Sequence, residues 1–261
     1  MVGAIRPDDR VPNVVVLPTR EELWEAAAER FVSAAAESVR RRGRFTVALS
    51  GGATPNGLYA LLATKAFRTR VSWHDAHVFW GDERCVPPDD PRSNYRAAYE
   101  LLLSHVPIPA ANVHRLRGEA EPHEGAADGE AELRAHFMTP AGAPRFAGGA
   151  CFDLVLLGLG TDGHTASLFP DGVALTEGSR WVVADYAASV GMWRLTLTLP
   201  VINAARDVLF LVSGTEKRGT AARVLNAPDN AARLPAGLVL PIEGRMTWLL
   251  DSAASPFPPP N

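Results

Sequence analysis

Short apolar runs alternate along this chain with segments of helical periodicity, and this alternation limits the fold more than any other feature. Runs such as Phe45 to Leu49, Phe152 to Leu157 and Val208 to Val212 predict strands that are buried on both faces. Helical patterns run from about Glu21 to Arg42 and from Glu121 to Met138. This order predicts an α/β fold with a mainly parallel sheet sandwiched by helices.

The remaining elements follow the same pattern. Thr19 is the expected N-cap of the first helix, and Gly43 is expected to end it. Further predicted elements are strands at 14–17, 77–80, 113–116, 181–184, 194–199 and 246–250, helices at 93–104 and 216–225, and loops at 81–91 and 140–149. No internal repeat or long linker is evident, so residues 1–261 are expected to form one domain with a frayed tail from about residue 256.

Composition argues against several classes of protein. The chain has 47% hydrophobic and 21% charged residues and a formal net charge of -3, which is typical of a soluble globular protein and not of a nucleic-acid binder. The basic run from Arg40 to Arg44 is expected at a helix C-terminus, where it complements the helix dipole. Cys85 and Cys151 are too few for a disulfide framework. No signal-peptide core or membrane span is evident, so we expect a cytoplasmic protein with free thiols and no nucleic-acid or membrane partner.

The loops that follow the strands are the candidate binding sites, because ligands of open parallel sheets bind beyond the carboxyl ends of the strands. The first such loop places Ser50, Gly51, Gly52 and Thr54 directly before a helix. Backbone N–H groups at a helix N-terminus, together with hydroxyl groups, can hold a phosphate. The alternative is a glycine turn that is merely capped by Thr54.

Two other loops carry charged residues. Asp82, Glu83 and Arg84 follow a strand, and they either form structural ion pairs or contact a substrate, with the two acids binding hydroxyls, orienting Arg84 or acting as acid or base. Lys217 stands at a predicted helix N-terminus, where a cation opposes the helix dipole. All but two of the 26 basic residues are arginines. A lysine in this position indicates a phosphate contact, although a solvated surface lysine is the alternative.

The segment FDLVLLGLGTDGHTASLFP contains the G-x-G-x-x-G pattern of dinucleotide-binding proteins. Pro170 follows Gly163 too closely for the long helix that a dinucleotide cradle needs. The segment therefore predicts a tight turn beside a short helix, with Asp162, His164 and Ser167 close together. His164 suits a general base that Asp162 orients. A histidine that only hydrogen-bonds its own loop is the alternative.

The other histidines give no metal-site signal in the sequence. His74 and His77 enter a strand but lack a convincing third ligand, so we expect no bound metal. The histidines at 105, 114, 123 and 136 are expected at helix ends or on the surface and receive no role.

Together, the four loops resemble the 6-phosphogluconolactonases, within a wider group that includes glucosamine-6-phosphate deaminases. The matching segments are LSGGATP, FWGDERCVP with SNY, LGLGTDGHTASLFP and SGTEKR. The resemblance implies a deaminase-like α/β fold and hydrolysis of 6-phospho-D-glucono-1,5-lactone in the oxidative pentose phosphate pathway, without a metal or an organic cofactor. It also implies that His164 is the catalytic base.

The implied site combines these loops around a sugar phosphate. The glycine loop and Lys217 are expected to hold the phosphate, with help from Arg194 or Arg218, while Arg84 stabilises the oxyanion. Asp82, Glu83 and Gly160 complete the expected set of substrate contacts. In the deaminase relatives the turn continues like GHIAFNEP, with a glutamate that assists ring opening. This chain has Phe169 there, which favours the lactonase.

Two other functions remain open at this point. A deaminase or isomerase would act on a related sugar phosphate. A non-catalytic sugar-phosphate sensor would need a partner-binding module, and none is visible before Ser50. A monomer or a small homo-oligomer is expected.

Overall fold

The structure is a computed structural model, and it describes residues 13–138, 151–226 and 234–257. Nine strands lie in these ranges: β1 Asn13–Leu17, β2 Phe45–Leu49, β3 Ala76–Trp80, β4 Asp82–Arg84, β5 Leu154–Leu157, β6 Val182–Ala187, β7 Met192–Leu197, β8 Asp207–Val212 and β9 Arg245–Asp251. Six of them form one sheet in the order β1-β9-β8-β5-β2-β3, in which all neighbours are parallel. The predicted α/β fold with a mainly parallel sheet is confirmed.

Helices cover the large sheet. The same described ranges contain α1 Arg20–Arg42, α2 Ala53–Leu62, α3 Lys65–Arg68, α4 Asn94–Leu101, α5 Pro122–Phe137, α6 Leu199–Asn203 and α7 Arg218–Leu225. Strands β2, β5 and β8 are buried at every residue, as expected for parallel strands that are covered on both faces. No helix in these ranges is long and apolar enough to cross a membrane.

Helix α1 has the boundaries that its sequence predicts. The Thr19 side chain accepts a hydrogen bond from the Glu22 backbone, and the Glu22 side chain accepts one from the Thr19 backbone, forming a capping box. Gly43 ends the helix with a φ of 72°, a left-handed conformation that glycine adopts readily. Arg40, Arg41 and Arg42 lie in the last turn, where Arg42 pairs with buried Asp153 at 2.8 Å. These charges stabilise the helix end, as expected.

A second, antiparallel sheet was not predicted. Its strand order is β4-β7-β6, and β4 lies inside the segment from Gly81 to Pro91 that we expected to be a loop. The predicted strands at 181–184 and 194–199 correspond to β6 and β7, which pair with each other. Three charged residues in β4 carry no apolar periodicity, so only their pairing with β7 reveals the strand.

Other local predictions differ from the structure. Segment 113–116 forms a single bridge from Val113 to Val78, not a strand. The helix predicted over 93–104 ends at Leu101 and gives way to a 3₁₀ turn at Leu103–His105. Turns and one isolated bridge replace the short helix expected after His164. The loop expected at 140–149 and tail residues 258–261 lie outside the described residues.

The connections of the large sheet create a crevice between β2 and β5. After β2 the chain proceeds to β3 on one side, whereas after β5 it proceeds to β8 on the other side. The loops that leave the carboxyl ends of β2 and β5 therefore diverge. In open α/β sheets this switch point is where ligands bind.

Candidate active site

A cavity of about 370 Å³ opens at this switch point. Its walls come from the loops after β2, β5 and β8, from the small sheet, and from the first residue of α1. Most of the residues predicted for the site line it: Ser50, Gly51, Gly52, Thr54, Asp82, Arg84, Gly160, His164, Arg194 and Lys217. The structure thus brings together residues that are far apart in the sequence.

His164 and Asp162 form a hydrogen-bonded pair in the turn after β5. The Nδ1 of His164 lies 2.6 Å from Oδ1 of Asp162, and the same oxygen accepts the backbone N–H of His164 at 3.1 Å. Burial raises the pKa of the Asp162 carboxyl, but the hydrogen bonds and charge of His164 outweigh this effect, so the pKa lies below its ordinary value. The ionised carboxylate accepts a hydrogen bond from Nδ1–H, which leaves the lone pair of the neutral imidazole on Nε2.

The turn accommodates this pair because Gly160 has no side chain. A Cβ at Gly160 would lie 2.1 Å from Nδ1 of His164 and 2.6 Å from Oδ1 of Asp162. The Gly160 N–H also donates to the His164 carbonyl at 2.8 Å. Glycine at position 160 therefore leaves the space in which the His164 imidazole and the Asp162 carboxylate form their hydrogen bond.

Phe169 covers one side of the His164 ring. The two ring centroids are 4.4 Å apart, and Phe169 lines the cavity although its side chain is almost fully buried. This contact limits the orientations open to the imidazole.

Strand β4 separates the charged residues 82, 83 and 84. Side chains alternate along a strand, so Asp82 and Arg84 share the face that lines the cavity, while Glu83 points the other way. Asp82 accepts hydrogen bonds from Ser167 Oγ at 2.6 Å and Asn94 Nδ2 at 3.3 Å. These bonds fix the carboxylate at the cavity wall.

Glu83 lies against helix α4, outside the cavity lining. Its carboxylate accepts hydrogen bonds from the backbone N–H groups of Arg84, Asn94 and Tyr95 and from the Ser93 hydroxyl. Burial raises the pKa of Glu83, although these four bonds act in the opposite direction. The Glu83 carboxylate holds the start of α4 through these bonds. Its location outside the cavity lining does not favour the substrate contact that we expected for Glu83.

Arg84 and Arg194 face each other across the two strands β4 and β7. The Nε of Arg84 and the Nε and Nη1 of Arg194 are buried without a hydrogen-bond partner in the part of the chain that the structure describes. Burial lowers the pKa of Arg194, and the positive charge of Arg84 lowers it further. Nη1 of Arg84 donates to the Arg92 carbonyl, but the buried donors that remain on both guanidinium groups fit an anionic or strongly polarised oxygen of a ligand.

The glycine loop after β2 allows other groups to come close to its backbone. A Cβ at Gly51 would lie 1.9 Å from Oδ1 of Asn94, so only glycine fits there. Gly52, with a φ of 109°, is the N-cap of α2, and no side chain caps the helix. Thr54 therefore does not cap the helix as the alternative interpretation required, and the first residues of α2, whose N–H groups have no partner within the helix, line the cavity.

Two cations stand near this loop. Lys217 lines the cavity, and its ammonium group has no hydrogen-bond or ion-pair partner among the described residues. Arg20, which sequence reasoning missed, also lines it and donates from Nε to Ser213 Oγ at 2.6 Å. Arg20 is the first residue of α1, where a cation opposes the helix dipole. One part of the signal that identified Lys217, a cation at a helix N-terminus, was thus present for Arg20, whereas the rarity of lysine was not.

Arg218 points away from this cavity. Its guanidinium donates to the backbone carbonyls of Ser252 and Ala253, each at 3.1 Å. It is not among the lining residues. Of the two arginines considered for the phosphate, only Arg194 reaches the cavity.

A larger cavity of about 680 Å³ lies at the opposite, amino end of the strands. Its charged side chains pair with one another, as in Arg42 with Asp153 and Arg245 with Asp207. It contains no histidine. The smaller cavity is therefore the better candidate on chemical grounds, despite its size.

The fold and the site define a class of protein: an α/β protein whose switch-point cavity combines an imidazole–carboxylate pair with several cations for a small anionic ligand. Comparison with known proteins agrees with this class. The family model described as glucosamine-6-phosphate isomerases/6-phosphogluconolactonase matches residues 18–248. The chain is 42% identical to a 6-phosphogluconolactonase of Synechocystis sp., over 93% of this chain and 97% of that protein. It is 35% identical to one of Haemophilus influenzae, over 93% and 98%.

Solved structures give the same result. The 6-phosphogluconolactonase from Trypanosoma brucei has a TM-score of 0.78 at 30% identity, covering 94% of this chain and 98% of that chain. A monomeric glucosamine-6-phosphate deaminase shares the fold, with a TM-score of 0.73 at 21% identity, covering 93% and 98%. The chain belongs to the glucosamine-6-phosphate isomerase/6-phosphogluconolactonase family. The resemblance inferred from the four loops is confirmed.

The Gly160→Ala variant tests the geometry of the His164–Asp162 pair. The added methyl group would overlap the imidazole, so we expect the ring to leave Asp162 and the Nδ1 hydrogen bond to be lost. Nitrogen chemical shifts of the His164 ring, measured by NMR, should change markedly. Gly178→Ala is the matched control, because nothing lies within 4 Å of a Cβ there. Unchanged His164 shifts in Gly160→Ala would contradict the described contact.

Proposed function

We propose that this chain hydrolyses 6-phospho-D-glucono-1,5-lactone to 6-phospho-D-gluconate in the oxidative pentose phosphate pathway. The observation that carries the proposal is that His164, hydrogen-bonded to Asp162, lines a cavity that Arg20, Lys217, Arg84 and Arg194 also line. The relatives named 6-phosphogluconolactonase, which match nearly the whole chain, support the choice of substrate. The proposed reaction uses neither a metal nor an organic cofactor.

The substrate phosphate binds at the glycine loop in this proposal. The N–H groups that begin α2 and the ammonium of Lys217 are suited to a dianion, and Arg20 supplies a further positive charge at the same wall. Binding the phosphate fixes the distance from the sugar ring to His164. We leave Glu83 and Arg218 out of the contacts, because both side chains are engaged elsewhere.

His164 then acts as the general base. Its Nε2 takes a proton from a water molecule while the water oxygen attacks the lactone carbonyl carbon. The tetrahedral intermediate collapses by breaking the bond between this carbon and the ring oxygen, and the imidazolium returns its proton to that oxygen. Asp162 holds the imidazole in the required tautomer and stabilises its charged form.

Arg84 and Arg194 stabilise the negative charge on the carbonyl oxygen. Their unused N–H donors are buried, so they need no reorganisation when the charge develops. A positive charge of this kind also lowers the energy of the intermediate more in a desolvated cavity than in water.

Phe169 favours lactone hydrolysis over deamination. A deaminase of this group needs a carboxylate to assist opening of the sugar ring, and this chain places an aromatic ring beside His164 instead. Lactone hydrolysis needs no such carboxylate.

A substrate comparison tests the proposed function. The purified protein should accelerate loss of 6-phosphogluconolactone above its spontaneous hydrolysis, and it should release no ammonia from glucosamine 6-phosphate. Both reactions can be followed by NMR under the same conditions. Ammonia release without lactone hydrolysis would support the deaminase instead, and activity on neither substrate would favour the sensor.

His164→Ala tests the general base. General-base catalysis contributes about 10²- to 10⁴-fold, so we expect kcat to fall by that order while the phosphate is still bound. His74→Ala is the control, because His74 is exposed and lies outside the cavity. If folded His164→Ala keeps the kcat of the wild type, the proposed role is wrong.

Lys217→Ala tests the phosphate contact. A charged hydrogen bond is worth about 1.5–3 kcal/mol, so KM should rise about 10- to 100-fold. The phosphate is bound alike before and during the reaction, so kcat should change little. Lys65→Ala removes the other lysine of the chain, which is exposed and distant in the fold, and should leave KM unchanged. A fall in kcat with constant KM would contradict the assignment.

A further inference from the structure

Three histidines from separate parts of the chain meet beside the edge strand β3. His77 lies on β3, His114 follows the turn at Ala110–Asn112, and His136 lies in the last turn of α5. Each histidine offers one ring nitrogen as a possible metal ligand, and these three nitrogens all lie within 4.8 Å of one another. Within the described residues, this is the one group of three or more His, Cys, Asp or Glu side chains with such spacing.

The cluster is separate from the proposed active site. None of its three histidines lines the cavity that contains His164. His77 is the second residue of β3, near the amino end of the strand, whereas the cavity opens at the carboxyl ends. A ligand at the cluster would therefore not compete with the sugar phosphate.

The spacing of His77 and His114 suits a shared metal ion. Nδ1 of His77 and Nε2 of His114 are 3.1 Å apart and form a hydrogen bond, so a metal ion that binds both would displace the proton of His77 Nδ1. Zn²⁺ binds imidazole nitrogens at about 2.0–2.1 Å in tetrahedral geometry, which places two bound nitrogens about 3.3 Å apart. The observed distance is close to this value. His136 closes the third side of the group and is half-buried, as the other two are.

Glu132 orients one of these rings. Its Oε1 lies 2.6 Å from Nδ1 of His114, so the carboxylate accepts a hydrogen bond from Nδ1–H and Nε2 keeps the lone pair that faces His77. Histidines that bind metals usually donate their other ring nitrogen to a carboxylate in this way. This contact is an independent feature that points to a metal.

Aromatic packing holds the rings in place. Phe79 stacks on His114, with ring centroids 4.2 Å apart and an angle of 10°, and it contacts His136 edge-on at 5.1 Å. Phe79 is itself buried and shares a strand face with His77. The ligands are therefore positioned by the core before any ion arrives, which lowers the entropic cost of binding.

We propose that His77, His114 and His136 bind one divalent transition-metal ion of the Zn²⁺ type, with water in the remaining coordination position. The ion joins the edge strand, the segment that bridges to it at Val113, and the end of α5. These parts lie together only in the folded chain, so binding stabilises the folded state. The site is independent of the proposed lactone hydrolysis.

A Zn²⁺ titration of the full chain tests this site. After treatment with a chelator, the wild-type protein should bind Zn²⁺ at the cluster in isothermal titration calorimetry, with a rise in Tm. His77→Gln, His114→Gln and His136→Gln should each raise the Kd at least about 10-fold, since loss of even an outer hydrogen-bond partner costs about 10- to 100-fold. His74→Gln is the matched control, because His74 is exposed and outside the cluster.

Two further variants keep the test decisive. Glu132→Ala removes an exposed side chain, so the protein should fold normally and bind Zn²⁺ about 10- to 100-fold more weakly, whereas Glu124→Ala on the same helix should not. His164→Ala should keep the Zn²⁺ affinity, which separates the cluster from the cavity. The proposal is overturned if the wild type binds no Zn²⁺, if the cluster variants bind it equally well, or if only His164→Ala abolishes binding.

Discussion

The hydrogen bond between Asp162 and Nδ1 of His164 is the interaction on which the proposed chemistry depends. An imidazole can act as a base only through the nitrogen that carries the lone pair, and the bond to Asp162 assigns this role to Nε2. The bond exists because Gly160 leaves room for both side chains. Strand β5 and the divergence of the chain at the switch point place this turn at the mouth of the crevice.

The positive charges that line the cavity all suit an anionic substrate in the proposed reaction. The chain as a whole is slightly acidic, with a formal net charge of -3, yet Arg20, Arg84, Arg194 and Lys217 all line one cavity. The positive charges of Arg84 and Arg194 repel each other, and burial adds to the cost of the Arg194 charge. An anionic ligand relieves this repulsion, so the site is organised for a phosphate and a developing oxyanion before the ligand binds.

The sequence predicts the large sheet and most of the cavity, but not all of either. Buried parallel strands are continuous apolar runs, and the turn with Asp162 and His164 is a continuous motif, so both could be found from local patterns. Strand β4 could not, because its three charged residues are defined only by pairing with β7. That pairing also decides that Asp82 and Arg84 face the cavity and Glu83 does not.

Two other features, Arg20 and the histidine cluster, could not be predicted because they depend on contacts between residues that are far apart in the sequence. Arg20 enters the cavity because β1 lies in the same sheet as β8, and its helix position alone was an ambiguous signal. The histidine cluster is a stronger case, since His77, His114 and His136 have no common motif. His74, which is the neighbour of His77 in sequence, lies outside the cluster. The division of the chain into a single domain stays a prediction.

The central claim is that one end of the cavity holds the phosphate while His164 faces the reacting carbon. A crystal structure with 6-phosphogluconate bound would test it most directly. We expect the phosphate at the start of α2 beside Lys217 and Arg20, and the product carboxylate within about 3.5 Å of Nε2 of His164. A product bound in the reverse orientation, with its phosphate on Arg84 and Arg194 and its carboxylate far from His164, would contradict the account.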